Sequence, residues 1–221
     1  MNRLKYCLLL LVGCVCFTSV HADSVFQKDQ LLVDALKAKN IRLIVMRQAE
    51  SLSNAQHIID SKNDIKQFLT FQGIEQAADT AKNLFLERVS AIYTSPLFAS
   101  LETSNIIAGA LLILPFQIHS DPLLTMQNFG VDEGATFTHY QSLFPSSTAM
   151  YEGQVSGGES GTSVFNRTHQ FLEKMLKLHE SLTVLIITHA FNYCHIKMCL
   201  TGDFGQLPAE SEFIIYDFNA P

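Results

Sequence analysis

Ile41-Arg42-Leu43-Ile44-Val45-Met46 runs without a break into Arg47-Gln48-Ala49-Glu50-Ser51-Leu52-Ser53-Asn54. The first six residues form a nearly continuous β-rich apolar run, the pattern of a strand covered on both faces. The eight that follow open a polar loop with an arginine at the strand's mouth. Upstream, apolar spacing from Phe26 to Lys39 predicts a helix leading into this strand. Downstream, Ala77, Ala81, Leu84 and Phe85 share one face of a helix expected over Gly73 to Glu87. Val89 to Tyr93 reads as a second strand, and Ser95-Pro96 as the start of another helix, since proline suits a first turn. Phe116-Gln117-Ile118-His119 is a third, shorter strand. Residues 125–158, rich in Gly, Thr and Ser, read as a loop-dominated excursion. Thr162 to His179 is helical, Thr183 to Ile187 a strand, Phe191 to Leu200 a helix and Phe213 to Phe218 a last strand. Such alternation predicts an α/β three-layer sandwich with a mostly parallel sheet flanked by helices.

Composition agrees with a chain that buries a core. Of 221 residues, 48% are hydrophobic and 16% charged, which excludes a disordered chain. A net charge of −6 leaves no basic stripe for phosphodiester backbones, so nucleic acid is not an expected partner. The spacing of His, Cys, Asp and Glu contains no metal-ligand pattern, and no cofactor is expected.

The first 22 residues belong to export rather than to the fold. Arg3 and Lys5 form a short basic region, Tyr6 to Val20 is an apolar run, and Val20-His21-Ala22 offers small residues at a cleavage site. That run falls short of the roughly 20 residues a membrane-spanning helix needs. The expected organisation is a signal peptide over residues 1–22 and one domain over residues 23–221, released to the periplasm or the medium. Leu11-Val12-Gly13-Cys14 supplies the alternative, a lipoprotein anchored to the membrane through Cys14. Cleavage after Ala22 leaves Cys194 and Cys199, five positions apart on a helix; facing different ways, they are expected to be buried free thiols.

In parallel sheets ligands bind at the carboxyl ends of strands. Arg47 stands at one such end and His189, in Thr188-His189-Ala190, at another. Near helix N-termini this pair suits an anion. Taken alone, it equally fits a solvated loop charge and a hydrogen-bonded interior histidine.

Six short motifs, in order, decide between these readings. Arg47 to Asn54, then Leu69, Thr70, Gly73, Gln76, Ala77, Ala81 and Leu84, then Ser95-Pro96-Leu97, Gly130-Val131-Asp132-Glu133-Gly134, Gly157-Gly158-Glu159-Ser160 and Thr188-His189-Ala190 resemble the histidine phosphatase superfamily, with its phosphoglycerate mutase-like fold. The resemblance spans nearly the whole mature length. It implies a first-motif histidine that attacks phosphorus, two arginines and a second histidine that hold the phosphoryl oxygens, and an acid that protonates the leaving oxygen.

Against that pattern this chain is degenerate. Gln48 occupies the nucleophile's position, and an amide nitrogen has its lone pair delocalised into the carbonyl. Ala99 occupies the second arginine's position and Met126 the acid's. Ala49 and Ala190 stand where the family has glycine, and are expected to push methyl groups toward the site. Arg47, Asn54 and His189 remain. Losing one donor to a developing charge costs about 3–4 kcal/mol, and losing the nucleophile removes most of the chemistry. The resemblance therefore implies a pseudophosphatase whose vestigial pocket of Arg47, Gln48, Asn54 and His189 binds a small anion or phosphorylated ligand. Protonation of His189 is expected to strengthen that binding in acid. The alternative is a phosphomonoesterase of altered or residual activity with a displaced nucleophile. His119 leads His57 and His139 for that role, with Glu50 or Asp132 as proton donor. His195 and Cys194 read as helix-packing residues, and Asn166-Arg167-Thr168 as a glycosylation sequon inside a helix.

Mass analysis of the mature N-terminus tests the export assignment. A chain beginning at residue 23 is expected, whereas a lipid-modified Cys14 establishes the anchored form.

Overall fold

Five segments become the strands of one sheet in the computed structural model, which describes residues 28–219. The segment expected to be an export signal, Cys14 and the first residues of the helix expected from Phe26 lie outside the described residues. The strands are β1 (Arg42–Arg47), β2 (Val89–Thr94), β3 (Ile118–Ser120), β4 (Thr183–Thr188) and β5 (Phe213–Tyr216). Their order across the sheet is β3-β2-β4-β1-β5. The first four are parallel, and β5 runs antiparallel to β1. Among the described residues the α-helices are α1 (Gln30–Ala38), α2 (Leu52–Ala55), α3 (Phe71–Asn83), α4 (Phe98–Leu111), α5 (Phe137–Ser142), α6 (Ser147–Glu152), α7 (Gly161–Leu178) and α8 (Ala190–Thr201).

Alternation along the strands divides the core between two faces. Leu43 and Val45 of β1, with Val184 and Ile186 of β4, pack against Leu36 of α1, Phe171 and Leu172 of α7 and Ile196 of α8. Ile44, Met46, Leu185 and Ile187 turn the other way, onto Ala81 and Leu84 at the end of α3 and Ile107 and Ala108 of α4. Burying each such aliphatic side chain contributes about 1.5–3 kcal/mol, which is why β1 and β4 carry no polar alternation. The architecture is the α/β three-layer sandwich with a mostly parallel sheet expected from the sequence.

Two of the motif glycines have steric reasons. A Cβ at Gly73 would collide with the Glu50 carbonyl, so glycine lets α3 begin against the loop after β1. Gly130 has a φ of +57°, and a Cβ there would strike the backbone at Ser156 and Gly157.

The excursion over residues 125–158 needs correction. It holds a short 3₁₀ turn, Gly130–Asp132, and the two helices α5 and α6. Thr136 and Ser146 cap these helices by accepting from the His139 and Ala149 N–H groups. Helices this short are marginal alone. Phe129, Tyr140 and Met150, with Phe137, Phe144 and Phe191, form a third apolar cluster that holds them in place.

Leu185→Ala, in the fully buried centre of the sheet, is expected to cost about 2–5 kcal/mol in urea unfolding. Leu112→Gly should instead stabilise by up to about 1 kcal/mol, because Leu112 ends α4 with a φ of 57° and its side chain is exposed.

Candidate functional site

The last rung of the β1–β4 ladder pairs Arg47 with Thr188. One residue further, the Gln48 N–H donates to the Thr188 carbonyl at 2.8 Å, and the Ser95 N–H donates to the Ile187 carbonyl at 3.1 Å. The ends of β1, β4 and β2 therefore open at one mouth. Because Ser95 is still held along β4, the following helix begins at Phe98 rather than at Ser95-Pro96.

A cavity of about 590 Å³ opens at this mouth. Arg47, Gln48, Asn54 and His189 all line it, together with Ser51, Ser53, His57 and Asp60. Met126, Phe129, Phe137, Phe191 and Leu207 give it apolar lining as well. Asn54 belongs to a capping box at the start of α2: its Oδ1 accepts from the Ser51 N–H at 3.1 Å, and Ser51 Oγ accepts from the Asn54 N–H at 3.3 Å. That box fixes the direction in which the loop leaves β1.

Three polar atoms on the strand-end residues are buried without a hydrogen-bond partner: Arg47 Nε, Gln48 Oε1 and His189 Nδ1. Buried polar atoms are ordinarily satisfied, so these three leave hydrogen-bonding capacity unused at the strand ends. His189 Nε2 is already engaged with Ser95 Oγ at 2.8 Å. Arg47 is engaged as well. Its Nη1 donates to the Pro208 carbonyl at 2.7 Å and its Nη2 pairs with Glu210 Oε1 at 2.7 Å.

Charge within the cavity differs from what the sequence suggests. Burial, reinforced by the nearby guanidinium groups of Arg167 and Arg47, pushes His189 down to about 3. The imidazole is therefore neutral at ordinary pH, and the expected strengthening of anion binding by its protonation in mild acid is corrected. Desolvation holds Asp60 above the usual carboxylate range, with backbone N–H donation from Lys62 opposing it and the charge of Asp64 adding to it.

The other sequence-derived candidates separate clearly. Met126 and Ala190 line the cavity, whereas Ala49 and Ala99 are buried away from it. Thr103 Oγ1 donates to the Ala99 carbonyl at 2.6 Å and accepts from the Ala49 N–H at 3.1 Å. Of the three candidate nucleophiles, only His57 reaches the cavity. His119 pairs in register with Tyr93 and tilts against its ring at 5.0 Å, on the face covered by α7, because paired residues on neighbouring strands project to the same face. His139 faces Asp132 at 3.6 Å, and Glu50 accepts from Thr70 Oγ1 at 2.6 Å. Neither Glu50 nor Asp132 lines the cavity; the carboxyls that do are Asp60 and Glu210.

Cys194 and Cys199 are buried free thiols, both pushed up to about 12 chiefly by desolvation. His195 is a packing residue against Tyr151, Phe165 and Phe204. Arg167, inside the sequon, clamps Glu159 at 3.0 Å and the Leu123 and Met126 carbonyls at 2.8 and 3.2 Å, which holds the loop bearing Met126. Sequence reasoning gave no role to Ser95, Asp60 or Glu210. Ser95 had a signal in its Ser-Pro-Leu motif, whereas Glu210 needed the antiparallel direction of β5.

Comparison with known proteins places this geometry. The family model described as histidine phosphatase superfamily (branch 1) matches residues 43–206. Phosphoserine phosphatase 1 of Hydrogenobacter thermophilus is 28% identical over 158 residues, covering 67% of this chain and 71% of its own. A probable phosphoglycerate mutase of Yersinia pestis is 28% identical over 180 residues, 78% of each chain. Among solved structures, a histidine-to-alanine mutant of phosphoserine phosphatase from Entamoeba histolytica, in complex with phosphoserine, superposes with a TM-score of 0.66. It is 25% identical and covers 79% of this chain and 89% of that one.

Neutral His189 has a consequence for stability. Its folded value lies below the unfolded one near 6.5, so between these values the unfolded chain binds the extra proton and stability falls as pH falls. Its share of the slope approaches about 1.4 kcal/mol per pH unit below pH 6, and His189→Asn should remove it in denaturant titrations. Ring NMR should find no protonation of His189 between pH 5 and 8.

Proposed function

The chain belongs to the histidine phosphatase superfamily, and from that premise we propose that it is an exported binding protein, a pseudophosphatase that keeps the superfamily's pocket without its chemistry. Its ligand is a small molecule bearing a phosphoryl or comparable anionic group. One observation carries the reading: Gln48, buried at the end of β1 and lining the cavity, stands where the resemblance puts a nucleophile. Its amide donates and accepts hydrogen bonds but forms no phosphoryl intermediate. The thioether of Met126 in the cavity wall carries no proton to give a leaving oxygen, and Ala99 offers no second guanidinium.

Binding has better support than turnover. The unpartnered Arg47 Nε and Gln48 Oε1, with Asn54 beside them, supply donors and an acceptor for a polar head group. The similar Entamoeba phosphatase, with one histidine replaced by alanine, is in complex with phosphoserine, and the proposal carries that class of ligand over to this chain.

A second reading has an observation of its own. His57 and Asp60 line the same cavity, and the raised Asp60 carboxyl suits a proton donor. A displaced mechanism would therefore use these two residues.

Phosphate release by the mature chain over a panel of phosphomonoesters from pH 4 to 8 separates the readings. No release above that of His189→Ala is expected, with phosphoserine bound in calorimetry and binding weakened at least tenfold by Arg47→Ala. Turnover abolished by His57→Ala establishes the second reading and ends the first.

A further inference from the structure

Resting on the binding function just proposed, we propose that the Glu210 carboxylate is an internal competitor for the anion position at Arg47. It makes the cavity selective for an anionic head group carried on an apolar, ring-sized body, and discriminates against the free inorganic ion.

The competitor is built into the fold. Glu210 sits in the turn before β5, and that turn is hung on the backbone of the site itself. The Arg47 N–H donates to the Glu212 carbonyl at 3.0 Å, the Ser211 N–H to the Gln48 carbonyl at 3.3 Å, and the Glu212 N–H to the Ala209 carbonyl at 3.1 Å. The Glu212 side chain closes the turn by accepting from the Ala209 N–H at 2.9 Å. Ser211 holds a φ of 63°, a left-handed conformation that serine adopts only where its surroundings enforce it. Both terminal nitrogens of Arg47 are thereby occupied by one turn, Nη1 by Pro208 and Nη2 by Glu210.

The Glu210 side chain remains 29% exposed, so it can leave Arg47 for water while the turn stays in place. An intramolecular carboxylate competes at an effective concentration on the order of millimolar or more. A free ion offers Arg47 little that Glu210 does not already provide. Nor does the rest of the cavity attract one, because His189 is neutral and Asp60 is a second carboxyl.

A ligand that displaces Glu210 needs a further source of affinity, and the apolar lining of the cavity supplies it. Phe137 and Phe191 lie 5.5 Å apart between ring centres, and Phe129 lies 6.4 Å from Phe191. With Met126 and Leu207 they line a volume of about 590 Å³, far more than a phosphate ion fills and within the range of pockets that hold drug-sized molecules.

The test uses two probes that cannot be hydrolysed, inorganic phosphate and phenylphosphonate, titrated calorimetrically into the mature chain and into Glu210→Gln. The original chain should bind phenylphosphonate at least tenfold more tightly than phosphate. Glu210→Gln should tighten phosphate about tenfold, and Glu210→Ala, which removes the acceptor entirely, by at least as much. Adding Arg47→Ala should cancel the gain. Thermal unfolding of each variant confirms that the fold is retained, and the Ala variant decides if the Gln variant fails to fold. Equal phosphate affinity with and without Glu210 overturns the competitor and leaves the binding function standing. Tightening without any preference for the phenyl group overturns the selectivity. No binding of either probe to any variant overturns the pocket itself, and the competitor with it.

Discussion

Arg47 faces Thr188 at the end of a parallel ladder, and the position of that rung decides which side chains in this protein can meet. Parallel pairing sends the carboxyl ends of β1 and β4 in one direction, and β2 on the far side of β4 ends beside them. Every polar residue immediately after these strands is therefore delivered to one mouth. A slip of one residue would move Arg47 and Gln48 each to the other face, since side chains alternate along a strand. The apolar faces of Leu43, Val45, Ile44 and Met46 set that register by burying both sides at once.

The direction of β5 has an equally large effect. Antiparallel to β1, it pairs Phe213 with Met46, so the residues before it arrive at the carboxyl mouth rather than at the opposite end of the sheet. Glu210 reaches Arg47 by this route. A parallel edge strand would have placed the same acidic turn at the far end of the sheet. The electrostatic character of the cavity, with one guanidinium answered by one carboxylate and an uncharged imidazole, is thus a product of strand direction and burial.

Much of this was legible in the residues. Continuous apolar runs in β1 and β4 identify strands covered on both sides, and the ordered motifs from Arg47 to Ala190 bring Arg47, Gln48, Asn54 and His189 to notice. The helices α5 and α6 escaped, because their few aromatic residues are interspersed with Ser, Thr and Gly and are held by contacts with Phe129 and Phe191 distant in sequence. His119 attracted attention as the residue ending a strand. Its edge strand sends the ring toward Tyr93 instead, on the face beneath α7. His57 and Asp60 carried no motif at all.

Chain chemistry by itself determined which residues stand at the strand ends: Arg47 and Gln48 at the end of β1, Ser95 after β2 and His189 after β4. These are properties of single residues and need no neighbours to be read. The tertiary structure alone decided that Glu210 pairs with Arg47, that burial holds His189 neutral at ordinary pH, and that aromatic rings distant in sequence line one cavity. Each of these depends on distance and desolvation between residues up to 163 positions apart, quantities that exist only once the sheet has closed its register.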